Sequence, residues 1–363
     1  MKVLYDYQTF HTQRFGGISK YFFEIIKQMN VETQLALKFT RNKYLQGSNV
    51  GNAANVPNRM FSVFEGVFRK INLAASQKAL LENNFDVFHP TYYNPYFLEK
   101  LDKKKPFVLT IHDMTHEKMP KYFNPKDKTP ENKRLLAKHA ERIIAISEST
   151  KRDIVEILGV DEDKIDLVYH GINLEKPIEN KTISLPNNYV LYVGERRGYK
   201  NFTLFAKAFA RVAKQENADL HLVVAGKRFQ KDELQLFKEL EISNRVRCFC
   251  NVNNNVLSQL YRFARLFVYP SLYEGFGIPI LEAFVQQVPV ALSNASCFPE
   301  VAGNAAVYFN PLSIDDMAHT MKSVLNNSSL KSEFILNGKK QLNRFTWQQT
   351  AQQTQAVYEK CCR

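Results

Sequence analysis

Two glutamates eight residues apart, Glu274 and Glu282, stand among Pro270, Gly275, Gly277 and Pro279. The apolar run 266–269 predicts a buried strand, the glycines let backbone approach a ligand closely, and Pro279 suits the first turn of a helix. Glu274 then belongs to a strand-to-helix loop, and Glu282 to the helix about a turn further on. Open amides at such a helix start favour an anion such as a diphosphate, and each carboxylate can accept hydrogen bonds from two sugar hydroxyls. The spacing alone far more often means a buried loop with two surface acids; the flanking Pro-Ser, Gly-Phe-Gly-Ile-Pro and Leu-Glu-Ala strings shift the reading to binding. Two cations, Arg196 and Lys200, follow another strand end and Gly194, where a guanidinium fork and a point charge can reach phosphate. Gly16 and Gly17, between the first strand and the next helix, offer backbone amides of the same kind. A solvated turn and a plain loop are the duller readings of these two segments.

Those side chains need a scaffold. Apolar runs alternate with helical patterns along the chain, which predicts the α/β class with doubly wound parallel sheets. Strands are expected over 3–7, 34–39, 87–89, 107–112, 143–147 and 164–169, with helices over 18–29 and, behind the N-cap Ser147, over 148–158. A second set of strands is expected over 190–193, 220–225, 246–250, 266–269, 288–292 and 306–309, and a last helix around 347–360. At 363 residues the chain is long for one core. Pro and Asn mark a linker over 176–188, between a domain of residues 1–175 and one of residues 189–344. Residues 41–58, polar and rich in Asn and Gly, read as a mobile loop. Phe61, Phe64, Phe68 and Ile71 then fall on one helical face beside Arg59, Arg69 and Lys70. That stripe suits packing on the protein's own core, its commoner meaning, or an anionic membrane surface.

Composition narrows the classes. The net charge is +13, without a concentrated basic tail. A polyanionic donor, an anionic lipid surface or plain solubility would each fit it. No aromatic residues interleave the cations and no nucleic-acid motif is present, so no nucleic-acid partner is expected. Asp6 interrupts the start of the chain before any signal-like apolar core, and no run approaches the roughly 18 apolar residues of a membrane span, so a cytoplasmic setting is expected. Five cysteines, an odd number, suit a reducing compartment. Cys248 and Cys250 lie two apart on an expected strand, with no partner at zinc spacing. Asp161, Glu162 and Asp163 precede a strand, the end away from where α/β sheets bind ligands, and read as a solvated turn rather than a metal motif.

The stretch 269–283 resembles the signature of glycosyltransferase family 4, retaining nucleotide-sugar transferases of GT-B architecture, in which two Rossmann-like domains face a deep cleft. Residues 192–201 are similar to the family's phosphate-binding loop and 223–227 to the next strand end. Residues 293–303 and 307–311 resemble the stretch after the glutamate pair, 15–22 the N-terminal glycine loop, and 110–113 a histidine-bearing strand end. The resemblance implies Arg196 and Lys200 as phosphate ligands, Gly17 facing the diphosphate, Glu274 on the sugar hydroxyls and Glu282 on the ribose. It puts amides at Phe276 and Gly277 on the sugar and His112 on the sugar's reacting face, with Asp113 and His89 as secondary candidates for a base. It also implies that Glu274 orients the sugar rather than attacking it, and that residues 345–363 cross back onto the N-terminal domain. Three positions depart from the family pattern: Tyr199 replaces a frequent basic residue, Gln287 a usual glycine, and Cys250 a frequent glycine near the base pocket.

The expectation is a metal-independent hexosyltransferase of surface polysaccharide synthesis, O-antigen or capsule, resembling mannosyltransferases. It would take a UDP- or GDP-hexose and a glycan or lipid-linked glycan acceptor, need no other cofactor, and touch the anionic inner face of the membrane. The alternatives are a noncatalytic GT-B-like protein at a nucleic-acid or lipid surface, and an epimerase or glycan synthase of the same architecture, whose signatures differ from the one at Glu274.

Overall fold

A computed structural model describes residues 1–174, 179–215 and 219–362, so positions 176–178 of the expected linker lie outside the described residues. The chain forms two compact units, Met1–Gly171 with Thr346–Arg363, and Ile172–Phe345.

The first unit carries β1 (Lys2–Tyr5), β2 (Glu32–Leu35), a short parallel pair β3 (Phe39–Thr40) and β4 (Ala54–Asn55), then β5 (Val87–His89), β6 (Val108–Ile111), β7 (Arg142–Ala145) and β8 (Ile165–Leu167). Ladders β2-β1-β5 and β6-β7-β8 are parallel throughout. A bridge between Phe88 and Phe107 joins them, with the Phe88 N–H donating to the Pro106 carbonyl at 3.1 Å. β5 and β6 are buried on both faces, which is why apolar residues dominate them, His89 and Thr110 excepted. The helix Gly17–Gln28 turns Tyr21, Phe22, Ile25 and Ile26 into the core. The C-terminal helix Trp347–Cys361, opened by a capping box of Thr346 and Gln349, adds Trp347, Val357 and Tyr358 to that core.

Two expectations fail here. Residues 41–58 are not a free loop: Leu45 and Val50 enter the core, and Asn42, fully buried, donates to the Gln13 carbonyl at 2.7 Å. Asn-rich sequence looks mobile until its amides find backbone partners. Phe61, Phe64, Phe68 and Ile71 do not share a face. The helical stretch breaks at Phe64 into Asn58–Val63 and Glu65–Glu82, which turns Phe61 and Phe68 inward, Phe68 onto Phe39, and leaves Phe64 and Ile71 exposed.

The second unit is one parallel sheet of β9 (Tyr189–Val193), β10 (His221–Ala225), β11 (Val246–Phe249), β12 (Leu266–Tyr269), β13 (Val290–Ser293) and β14 (Ala306–Phe309), in the order β11-β10-β9-β12-β13-β14. The chain winds outward from β9 to β11, then returns to place β12 on the other flank of β9. The order therefore reverses between β9 and β12, and doubly wound sheets bind ligands beyond the carboxyl ends at such a reversal. In the first unit the reversal falls between β1 and β5.

Candidate active site

Both segments with the strongest sequence signals leave the reversal point of the second unit. The loop after β9 holds Gly194, whose φ of 127° favours glycine, and ends at Asn201, a left-handed residue at φ 59° that precedes the helix Phe202–Gln215. Asn201 Nδ2 donates to the Pro270 and Pro311 carbonyls at 3.1 and 2.7 Å, and the Leu272 N–H donates to the Tyr199 carbonyl at 2.8 Å. These bonds lace the loop after β9 to the loop after β12. They bring Lys200 onto Glu274, its Nζ donating to the two carboxylate oxygens at 2.7 and 2.9 Å. The pair is largely but not wholly buried, with side chains 19% and 13% exposed. The Glu274 N–H is held by Ser296 Oγ at 3.1 Å, and its carboxylate raises the pKa of the buried Tyr269 hydroxyl bonded to it, after burial itself. A carboxylate so fully engaged suits orienting hydroxyls better than nucleophilic attack.

Arg196 is placed differently from Lys200. Its guanidinium is clamped by Glu233, Nε to Oε1 at 2.5 Å and Nη2 to Oε2 at 3.0 Å, and Nη2 also donates to the Arg228 carbonyl at 3.0 Å. It lies over the Phe229 ring at 5.0 Å from the centroid. Burial would lower its pKa, but Glu233 outweighs that and raises it. Only Nη1 is left without a partner among the described residues. A cavity of about 250 Å³ opens here, lined by Arg196, Lys227, Arg228, Gln230 and Glu233 among others. Gly226 makes the arrangement possible, since a Cβ there would stand 2.7 Å from the Gly194 carbonyl oxygen and 3.0 Å from Arg196 Nη1. Arg196 can therefore offer an anion one N–H edge, not the whole fork.

The helix Ile278–Val285 starts from Gly277, left-handed at φ 92°, with Pro279 in its first turn. Phe276 packs its ring on Phe345, so only backbone is available there for a ligand. Glu282 accepts a hydrogen bond from the buried Tyr261 hydroxyl at 2.9 Å, which fixes the carboxylate's direction.

In the first unit, Gly17 is itself the first residue of its helix, one before the expected start, and one first-turn amide, that of Ser19, is already taken by Gln13 Oε1 at 3.0 Å. His112 follows β6; its N–H donates to Tyr93 Oη at 3.0 Å, and its buried Nε2 has no partner among the described residues. Burial lowers its pKa to about 4, against the opposing pull of Asp113, so the ring is neutral near pH 7. His89 is poorly placed for a base. Its two ring nitrogens are bonded to Tyr358 Oη at 2.6 Å and Thr110 Oγ1 at 2.9 Å, and burial lowers its pKa to about 3. Asp113 lies beside the buried Lys133, whose Nζ donates to the Asp113 carbonyl at 2.8 Å and to Glu117 at 3.1 Å. Burial would raise the Asp113 pKa; Lys133 and Thr115 bring it below its usual value. Asp161 to Asp163 form the exposed turn before β8.

Sequence reasoning missed Glu233, Tyr261 and Lys133. The first carried one signal, the capping box it forms with Gln230 at the start of the helix Lys231–Glu239. The other two look like ordinary core and surface residues until folded.

Residues 15–176 match the family described as Glycosyltransferase Family 4, and residues 175–341 match Glycosyl transferases group 1. The two matches overlap at residues 175–176 and together span 15–341: the chain is a glycosyltransferase whose two halves match these two family models. It is 28% identical to O-antigen chain mannosyltransferase B of Escherichia coli, over 94% of this chain and 96% of that one. It is 30% identical to O-antigen chain mannosyltransferase RfbU of Salmonella typhimurium over 56% of each. The GT-B fold is shared with Anabaena HepE, solved with UDP and glucose, at a TM-score of 0.77 and 16% identity over 99% of both chains. WaaG, a glycosyltransferase involved in lipopolysaccharide biosynthesis, superposes at 0.71 with 17% identity over 99% of both chains. Identities this low carry the fold alone. No helix among the described residues is long and apolar enough to cross a membrane.

Proposed function

We propose that this enzyme transfers a hexose, mannose first among the candidates, from a UDP- or GDP-sugar to a glycan or lipid-linked glycan in surface polysaccharide synthesis, with retention and without a metal. The names of the relatives support the sugar and the pathway class. The carrying observation is the Lys200–Glu274 pair at the reversal point, which joins a phosphate-seeking cation to a hydroxyl-seeking carboxylate. In this reading Lys200 and Arg196 Nη1 meet the diphosphate, Glu274 the sugar hydroxyls and Glu282 the ribose. The bond from the anomeric carbon to the phosphate oxygen breaks, a bond to the acceptor oxygen forms on the same face, and the acceptor's proton passes to the leaving phosphate. The two cations stabilise the charge that grows on that phosphate. His112, neutral and with Nε2 unpartnered, can hydrogen-bond the reacting sugar without adding charge. The work belongs at the cytoplasmic face of the membrane, where a lipid-linked acceptor would be met. Transfer of labelled hexose to a lipid-linked acceptor, with the anomeric configuration read by NMR, tests the proposal. An α-linked product from an α-linked donor is expected, and inversion would overturn the retaining mechanism.

A further inference from the structure

We infer that Lys133 is a positioning residue for His112: from the helix Thr129–His139 it fixes the chain on either side of the histidine and so sets where the free edge of the ring points. The inference rests on the reading above, in which His112 meets the reacting sugar. Lys133 lies on the inner face of its helix with Leu136 and Ala137, and at 1% exposure it is the one buried lysine among the described residues. An apolar side chain would cost less to bury there, so the cation calls for a reason beyond packing. So enclosed, it does not touch a sugar itself. Any effect on the reaction passes through the groups it holds.

Those groups bracket His112. Lys133 Nζ donates to the Asp113 carbonyl at 2.8 Å and to Glu117 Oε2 at 3.1 Å, and lies 3.8 Å from Asp113 Oδ1. It also stands over the Tyr93 ring, 5.4 Å from the centroid, and Tyr93 Oη accepts the His112 N–H at 3.0 Å. One ammonium group therefore steadies the chain at the His112 nitrogen and at the Asp113 carbonyl, while the ring's Nε2 has no partner among the described residues. The helix of Lys133 is tied to the same segment. The Thr129 N–H donates to Asp127 Oδ1 at 2.9 Å, and Asp127 Oδ2 lies 3.4 Å from His116 Nε2. The electrostatics agree with this placement. After burial, Asp113 pulls the His112 pKa upward and Lys133 pulls it downward. The other titratable rings about it, Tyr21 edge-on at 5.1 Å, Tyr93, His89 and His170, are buried and uncharged near pH 7. Lys133 thus offsets Asp113 and leaves the imidazole neutral.

The test is NMR titration of the full chain with labelled histidine, the His112 signal being the one lost in His112→Gln. The wild-type ring should titrate at about pH 4. Lys133→Met should raise that by about one unit, so that the ring is about half protonated near pH 5, and Lys133→Arg should restore the wild-type titration. Lys133→Met with Glu117→Gln removes the cation together with a counter-anion and answers the question where the single variant folds poorly. Turnover of GDP-mannose on a lipid-linked mannosyl acceptor should fall about tenfold in both methionine variants and recover in Lys133→Arg, with affinity for GDP held within about threefold. An unmoved His112 titration in the double variant, or full turnover in Lys133→Met where His112→Gln has lost it, would overturn the positioning role alone. Full turnover in His112→Gln would overturn the part given to His112 in the reaction, and the role of Lys133 with it.

Discussion

At the strand ends of the second unit the candidate ligands are charged and partnered: Lys200 on Glu274, Arg196 on Glu233, and Glu282 under the Tyr261 hydroxyl. In the first unit, at β5 and beyond the ends of β6 and β8, sit rings that burial keeps neutral. His89 and His170 are lowered to about 3, and His112 to about 4. Partly buried cations persist only beside counter-anions, and in the proposed reaction they would meet the charge that grows on a departing diphosphate. The rings of the first unit are neutral because burial penalises their charged form.

The largest expected effect is of acid on the first unit. Above the unfolded histidine pKa of about 6.5 these rings are neutral in both states and pH is without influence. As pH falls below it, the unfolded chain binds protons that the folded unit refuses until about pH 3–4. Stability is lost across that window, by roughly 2 kcal/mol per ring at pH 5. Trp347, the chain's one tryptophan, has its ring centroid 4.6 Å from that of His170 and reports on this unit. Its fluorescence should change before the far-ultraviolet dichroism of the whole chain does. A single coincident transition would erase the distinction between the units. The second unit's histidines, His221 and His319, are not buried.

Next in size, Glu233→Ala leaves the Arg196 guanidinium without its counter-anion at the edge of the open cavity and should lower stability by about 1–3 kcal/mol, seen as an earlier thermal transition. Unchanged melting would mean that water replaces the carboxylate and that the second unit does not depend on its ion pairs. Glu274→Gln should lower kcat about a hundredfold while nucleotide affinity stays within about threefold, because its partner is the sugar. Lys200→Ala should weaken nucleotide binding as well. Equal losses of affinity in both variants would dissolve the division between them. The smallest effect belongs to Tyr261→Phe, which leaves Glu282 in place but unsteered. A loss of about 1 kcal/mol in nucleotide binding is expected from calorimetry.

How far these features could be read in advance depended on their range along the chain. The strands β9 and β12 are continuous apolar runs, so local pattern located them. The glutamate pair and its glycines form one contiguous string, so resemblance assigned them roles. Glu233 lies 37 residues from Arg196, and Lys200 lies 74 from Glu274, pairings that only the winding order of the sheet creates. Residues 34–39, read as one strand, became β2 and β3, because the backbone near Phe39 turns to pair with Ala54 and to meet Asn72. The phenylalanine stripe was misread for want of the break at Phe64, which neither Pro nor Gly announces at that position.

The most direct measurement is calorimetric titration of UDP-, GDP-, ADP- and dTDP-hexoses into wild type, Lys200→Ala and Glu274→Gln, in chelator. The account predicts that one UDP- or GDP-sugar binds the wild type, that Lys200→Ala loses it, and that Glu274→Gln keeps the free nucleotide while losing the preference for the sugar-bearing form. Failure of every donor to bind the wild type, or equal binding by all three proteins, would contradict a nucleotide-sugar site built on the Lys200–Glu274 pair.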